Sequence, residues 1–200
     1  IKLVMEGIKY TEIMGPNVLD KLKYCGKNVR IYQLAKIINP ECAYIDDNCI
    51  ICDYVFIDAK QSFKMGKFCT ITWHCVIEGQ ANIEIGNRCF FGPGTKLLGS
   101  TYEFNGYYTT EHMCEGLDVS AIRYGDIKIC DDAYLGANCV VMPGVTIGEG
   151  ALAGSNAFVN KDLEPWGIYV GSPARKIGER QKPTDKRRAI VEALDWTKHF

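Results

Sequence analysis

One apolar residue returns at every sixth position through the last third of the chain: Ile129, Leu135, Val141, Ile147, Ala153 and Val159. The frame holds upstream in shorter blocks. Ile45, Ile51 and Ile57 form one, and Met65, Ile71 and Ile77 form a second after a slip of two residues. Ile85, Phe91 and Leu97 form a third after another slip of two. Four residues after each marker except Leu97, where the repeat breaks, comes a second column, and twelve of its fourteen members are small, with Gln61 and Leu163 the exceptions. A large aliphatic every six residues fills the interior of a narrow prism. A small residue two positions before the next aliphatic lets the chain turn a corner. Three hexads then close one triangular coil, and stacked coils form three parallel sheets. Each buried aliphatic contributes roughly 1.5–3 kcal/mol, and neighbouring coils share the core as in any solenoid. The pattern predicts an all-β chain, a parallel β-helix over residues 31–164; the period alone does not give its hand.

Two stretches fall outside the rhythm at the ends. Residues 1–30 read as a cap or lead-in, with a short helix over Asn17–Tyr24. After Glu164-Pro165 the chain reads as extended over Trp166–Lys176. Pro183-Thr184-Asp185 then opens a basic amphipathic helix to about Lys198, with Ile190, Ala193, Leu194 and Trp196 as its apolar face. Together these form a C-terminal unit, residues 165–200, and the helix is expected to cover the open end of the solenoid, which needs a cap against aggregation. A third break is internal. Residues 98–126 interrupt the repeat with a polar, aromatic insertion carrying Tyr102, Glu103, Phe104, Asn105, Tyr107, Tyr108, His112 and Tyr124. A long insertion in a strict repeat points to function, against the simpler alternative of an inert surface loop.

Composition narrows the possibilities. The net charge is −1, which gives no general case for nucleic acid or an anionic membrane. No stretch has the roughly 18 apolar residues a spanning helix needs, and the first residues lack a signal peptide's apolar core. The expected location is the cytoplasm. There are ten cysteines. Cys49 and Cys52 form one C-x-x-C without a second pair at zinc-ribbon distance. Cys49, Cys69, Cys75, Cys89 and Cys139 instead fall in the small column, which makes them packing residues of a reduced chain. No metal is expected.

Four segments carry a family resemblance: Gly136-Ala137-Asn138, Pro143-Gly144-Val145-Thr146-Ile147-Gly148, Asn160-Lys161-Asp162 and Gly171-Ser172-Pro173-Ala174-Arg175. Together they resemble the C-terminal signature of the hexapeptide-repeat, left-handed β-helix acyltransferases. Leu163–Tyr169 is similar to the corresponding segment in sugar acetyltransferases of surface-polysaccharide gene clusters. The resemblance spans about residues 27–180. It implies a left-handed coil, a homotrimer with active sites between neighbouring prisms, and acetyl-CoA as cosubstrate. It also implies site residues. Ala137 and Ser155 match positions lining the pantetheine arm, and Asn160 and Lys161 match a pair near the cofactor's outer half. Arg175, with Lys176 and Arg180, matches cations near its phosphates, a role that the phosphate charges themselves require of some cation or backbone donor.

Acetyl transfer from a thioester needs a base for the acceptor's proton and a donor for the oxyanion. In the galactoside, maltose and xenobiotic acetyltransferases of this family, the basic histidine follows by ten residues the glycine that matches Gly92. Tyr102 stands there in this chain. The sequence has three histidines. His74, in a corner between Trp73 and Cys75, is the first candidate base; it aligns with an active-site Asn of the galactoside enzymes. His112 in the insertion is the second, and His199 is incidental. An amino-sugar acceptor would need no protein base, with Tyr102 or Glu103 assisting by hydrogen bonding. Tyr102, Glu103 and Asn105 are the candidate acceptor-binding residues. The expected reaction is acetylation of a sugar hydroxyl, with N-acetylation of a nucleotide-linked amino sugar as the alternative. A non-catalytic β-helix binding or scaffold protein is the alternative of another class. The γ-type carbonic anhydrases need three zinc-binding histidines, and His199 lies outside the solenoid.

Overall fold

A computed structural model describes residues 10–103, 106, 122–195 and 198. The chain winds through six left-handed triangular coils. The first coil has β1 (Tyr24–Cys25), β2 (Arg30–Ile31) and β3 (Lys36–Ile38); the second has β4 (Ala43–Ile45), β5 (Ile50–Ile51) and β6 (Phe56–Asp58). The third has β7 (Ser62–Met65), β8 (Thr70–Ile71) and β9 (Val76–Glu78); the fourth has β10 (Asn82–Ile85), β11 (Phe90–Phe91) and β12 (Lys96–Leu98). Next comes the stem of the insertion, β13 (Ser100–Tyr102) paired antiparallel with β14 (Ile122–Tyr124). The fifth coil has β15 (Ile127–Ile129), β16 (Tyr134–Leu135) and β17 (Val140–Val141); the sixth has β18 (Thr146–Ile147), β19 (Leu152–Ala153) and β20 (Phe158–Val159). A final hairpin, β21 (Gly167–Val170) and β22 (Arg175–Glu179), extends the second face. Faces 1, 2 and 3 are the sheets β1-β4-β7-β10-β15-β18, β2-β5-β8-β11-β16-β19-β21-β22 and β3-β6-β9-β12-β17-β20.

All fifteen hexad markers are at most 2% exposed. The second column is buried as well, except Gln61. The reason lies in the slips of two. They fall at the corner between faces 3 and 1, where Ala59-Lys60-Gln61 and Gly79-Gln80-Ala81 make longer turns, so Gln61 belongs to a wide corner. Leu163 is buried despite its size because it pairs with Ile147 and closes the top of the core. The corner cysteines pack as expected. The Cys49 and Cys69 thiols donate to the carbonyls of Gly66 and Gly86, each at 3.0 Å. These two corners are thereby hydrogen-bonded without a hydroxyl's desolvation cost.

The ends differ from the expectation. The solenoid begins at Tyr24, before residue 31, and Asn17–Tyr24 is not a helix. A 3-10 turn, Gly15–Val18, carries Pro16 and ends the helical signal, while Tyr24 is drawn into the ladder and stacks on Tyr44 at 4.3 Å. Ile13 and Val18 close the bottom of the core. At the other end α1 (Asp185–Ala193) is shorter than expected, capped by Thr184, whose hydroxyl accepts from Arg187 N. It does not cover the open end, which Leu163, Trp166 and Tyr169 close. Instead α1 lies along the corner between faces 1 and 2, held by charge. Arg188 pairs with Asp132 and Glu149, each at 2.9 Å, and Arg88 pairs with Asp132 at 2.7 Å and Glu192 at 3.6 Å. Its apolar residues Ile190 and Leu194 remain exposed; Trp196 lies outside the described residues. These ion pairs, and not the apolar stripe, hold the helix against the solenoid.

Burial pushes the Cys139 thiol up to about 12 and the Cys75 thiol up to about 11. Only the thiolate reacts with thiol reagents. Labelling at pH 8 followed by peptide mapping is expected to mark exposed Cys25 in the native chain, and Cys75 and Cys139 only on unfolding. Equal labelling rates would contradict the packed column.

Candidate functional site

Stacked coils convert corner positions into columns that run the length of an edge. The edge between faces 2 and 3 gathers four of the expected site residues, His74, Ala137, Ser155 and Arg175. Its tip column reads Leu34, Tyr54, His74, Gly94, Asn138 and Asn156 from bottom to top, and the preceding column reads Gln33, Asp53, Trp73, Pro93, Ala137 and Ser155. His74 and Ala137 are two coils apart, about 10 Å at the usual strand spacing. Ala137 and Ser155 are one coil apart.

His74 is exposed, in left-handed backbone with φ 61°. Its ring stacks on Tyr54 at 4.9 Å and 3°, which fixes the imidazole plane. Directly above, Gly94 has no side chain, and the carboxamide oxygen of Asn138 fills the space where a Cβ would lie. One coil step of edge above His74 is therefore walled only by backbone and that amide.

One position earlier, coils 4–6 carry Gly92, Gly136 and Gly154 where coils 1–3 carry Tyr32, Cys52 and Thr72. A Cβ on Gly92 would come within 2.5 Å of Ala137 N, and one on Gly136 would collide with Ser155 N. The missing side chains let the backbone of the next coil pack close at Ala137 and Ser155. The backbone N–H groups of these two residues donate to no acceptor among the described residues. Free N–H groups along an edge suit amide or carbonyl oxygens of an extended ligand, and can receive developing oxyanion charge.

The remaining residues divide. Ala174 N donates to Phe158 O at 2.8 Å, which sets Arg175 beside the top of this edge. Arg175 is exposed, and its guanidinium reaches only its neighbour's carbonyl among the described residues, at 3.5 Å. Lys176 is instead engaged by Glu164 at 2.7 Å and Glu179 at 3.2 Å; hydrogen bonding to Glu164 raises its pKa, and Lys176 in turn lowers that of Glu164. Arg180 donates to the carbonyls of Asp132 and Gly150 at the opposite corner, so it is committed to structure. Asn160 and Lys161 are exposed on the edge between faces 3 and 1, roughly 15 Å across face 3 from Ser155. Tyr102 and Glu103 emerge on that same far edge, half-buried at the stem of the insertion. His112 and Asn105 lie outside the described residues. Sequence reading did not find the glycine column or the Asn138 amide; aligning the chain at coil spacing, 20 residues below the insertion, 44 across it and 18 above, exposes both. Among the described residues no group of three or more metal-ligating side chains gathers, and no helix is long and apolar enough to cross a membrane.

Residues 126–161 match the family described as "Bacterial transferase hexapeptide (six repeats)". A chloramphenicol acetyltransferase of Klebsiella aerogenes is 33% identical over 122 residues, 56% of this chain and 57% of that protein. A Lysinibacillus sphaericus protein named "Probable macrolide acetyltransferase" is 31% identical over 122 residues, 56% of this chain and 67% of that protein. The chain spans about half to two thirds of the length of the curated relatives it matches. Among solved structures, a point mutant of AntD, an N-acyltransferase from Bacillus cereus in complex with dTDP and coenzyme A, superposes with a TM-score of 0.79. It is 24% identical, covering 96% of this chain and 100% of its own, a likeness of fold.

Gly92→Ala is expected to lower stability by about 1–3 kcal/mol, because a backbone nitrogen stands where the methyl must go. Thermal unfolding checks it; an unchanged midpoint would mean that the coils can part at this corner without cost.

Proposed function

The chain belongs to the hexapeptide-repeat acyltransferase family, and we propose that it transfers the acetyl group of acetyl-CoA to a hydroxyl of a sugar, in the cytoplasmic assembly of a surface polysaccharide. The observation that carries this reading is the alignment along one edge of N–H groups at Ala137 and Ser155 that donate to no acceptor among the described residues, with His74 below them and Arg175 above.

The chain's own groups fit the cosubstrate's chemistry. The Ala137 and Ser155 N–H groups offer donors to a narrow arm of amides laid along the edge. Arg175 offers a cation to phosphates at the top, and Lys161 a second. Acetyl-CoA, when bound, supplies the activated acyl carbon. His74 takes the proton as the acceptor hydroxyl attacks that carbon. The Ala137 N–H receives the charge that develops on the carbonyl oxygen. The imidazolium then returns its proton to the departing thiolate.

The two-edge division has a consequence for assembly. Asn160, Lys161, Tyr102 and Glu103 stand a face-width from His74 and Ser155, far beyond the roughly 3 Å reach of proton transfer or hydrogen bonding. A trimer that sets this edge of one copy against the far edge of the next unites them.

A second reading has a specific support. The likeness to the AntD N-acyltransferase runs the whole length of that chain, and that protein is bound to dTDP and coenzyme A. An amine of a nucleotide-linked sugar needs only to arrive neutral, so His74 would then orient the acceptor rather than deprotonate it.

Free-thiol release with hydroxyl and amino sugars separates the two. For a hydroxyl acceptor, His74→Ala is expected to lower kcat by about 10²–10⁴-fold, while His112→Ala stays within a few-fold. Full activity in His74→Ala with loss in His112→Ala would assign the base to the insertion. Co-expression of His74→Ala with Lys161→Ala copies is expected to restore part of the activity that each variant lacks alone. No recovery in mixed oligomers would place the whole site on one copy.

A further inference from the structure

Lys96 opens β12, just past the corner between faces 2 and 3. In the outer column of face 3 it stands between Val76 below and Val140 above, so its neighbours along that column are apolar. The side chain folds back two residues, and its ammonium donates to the Gly94 carbonyl at 2.9 Å. Lys96 is half-buried there. Among the described residues that carbonyl is its one polar partner. Lys67 and Lys176, by contrast, meet carboxylates. An ammonium carries three donors, so Lys96 keeps two of them and a full charge that no carboxylate balances. A partly desolvated cation of this kind favours an anion brought by a ligand.

Gly94 is the residue directly above His74. The ammonium thus lies one hydrogen bond from the wall of the open coil step where the acetyl-transfer reading brings thioester and acceptor to the imidazole. Three negative charges belong to that reaction, and two already have partners. The cosubstrate's phosphates lie toward Arg175. Ala174 N donates to Phe158 O, and Phe158 stands two coils above Lys96 in the same column, about 10 Å away. The oxyanion has the Ala137 N–H. The charge left over is the one on sulfur.

We propose that the Lys96 ammonium receives the charge of the departing coenzyme A thiolate. The proposal rests on the acetyl-transfer reading and adds a second catalytic group to it. As the acceptor oxygen bonds to the acyl carbon, His74 takes the hydroxyl proton. The carbon–sulfur bond then breaks, and its electron pair leaves on sulfur. Lys96 holds that charge until the His74 imidazolium returns the proton to sulfur, so no further reactant is consumed. The leaving group is the same for a hydroxyl and for an amine, and the role of Lys96 is therefore the same for either acceptor.

The thiol of bound coenzyme A reports this charge directly. Its thiolate absorbance is titrated in complex with the full chain, as the difference from the desulfo-coenzyme A complex, which cancels the chain's own thiols and phenols. His74 is the other titrating group at the gap and is common to every variant. In Lys96→Met, which keeps the stem, the thiol is expected to titrate about one unit higher than in the wild type. The kcat should fall about 10–100-fold, the weight of one charge-assisted hydrogen bond. The KM for acetyl-CoA should stay within a few-fold, because the charge appears only as the bond breaks. Lys96→Arg is expected to recover part of both effects. Lys96→Gln, which keeps a donor for the Gly94 carbonyl but no charge, should behave as Lys96→Met. Wild-type behaviour of Lys96→Gln overturns the proposal, since Lys96 would then serve only to hold the loop tip. Equal thiol titration in the wild type and Lys96→Met, with coenzyme A bound to both, also overturns it and leaves acetyl transfer standing. A wild-type chain that binds no coenzyme A removes both.

Discussion

The fixed rise between stacked coils governs this molecule. Parallel ladders hold each strand about 4.8 Å above the one below, and every face repeats that spacing through its backbone hydrogen bonds. A corner position in one coil is therefore committed to a place directly under its equivalent in the next. The interior pays the entropy of this order with one large aliphatic per hexad, so the exterior is free to vary by column. A glycine in one coil lets the backbone of the next pack close, and a ring in one coil stacks on a ring above.

The same constraint explains the cysteines and the ends. A corner needs a small side chain that can also satisfy a carbonyl turned inward, and a thiol does both: Cys49, Cys69, Cys75 and Cys89 donate to carbonyls across a coil step. The prism's ends lack a next coil, and buried side chains close them, Ile13 and Val18 below and Trp166 and Tyr169 above. The C-terminal helix is thereby released from capping. It settles on the edge between faces 1 and 2, where Asp131, Asp132 and Glu149 form a column of carboxylates for Arg88 and Arg188.

The fold was legible because hexad spacing depends on local geometry alone. Every marker from Ile45 to Val159 is in the core, and even the slips of two correspond to a physical feature, the wider corner between faces 3 and 1. The ends were less legible. Amphipathic periodicity at Ile190 and Leu194 says that a helix forms, but the choice of docking partner rests on ion pairs with residues far earlier in the chain, such as Arg188 with Asp132 and Glu149. Among the expected site residues, Ala137, Ser155, His74 and Arg175 fall along one edge. Lys176 does not join them, because Glu164 and Glu179 hold it. Asn160 and Lys161 stand on another edge, a division that no linear motif reveals because it follows from how residues wind around a triangle.

The edge between faces 2 and 3 concentrates backbone donors, a stacked imidazole and an exposed guanidinium, while the far edge supplies Lys161 and the insertion. The central claim is that acetyl transfer occurs on the edge between faces 2 and 3. A crystal structure of the chain with coenzyme A tests it most directly. The account predicts the pantetheine arm along Ala137 and Ser155, with the thiol within about 4 Å of His74, close enough for proton transfer through a bound acceptor. A thiol lodged at the stem of the insertion beside Tyr102, with His74 of every copy a face-width away, would contradict it.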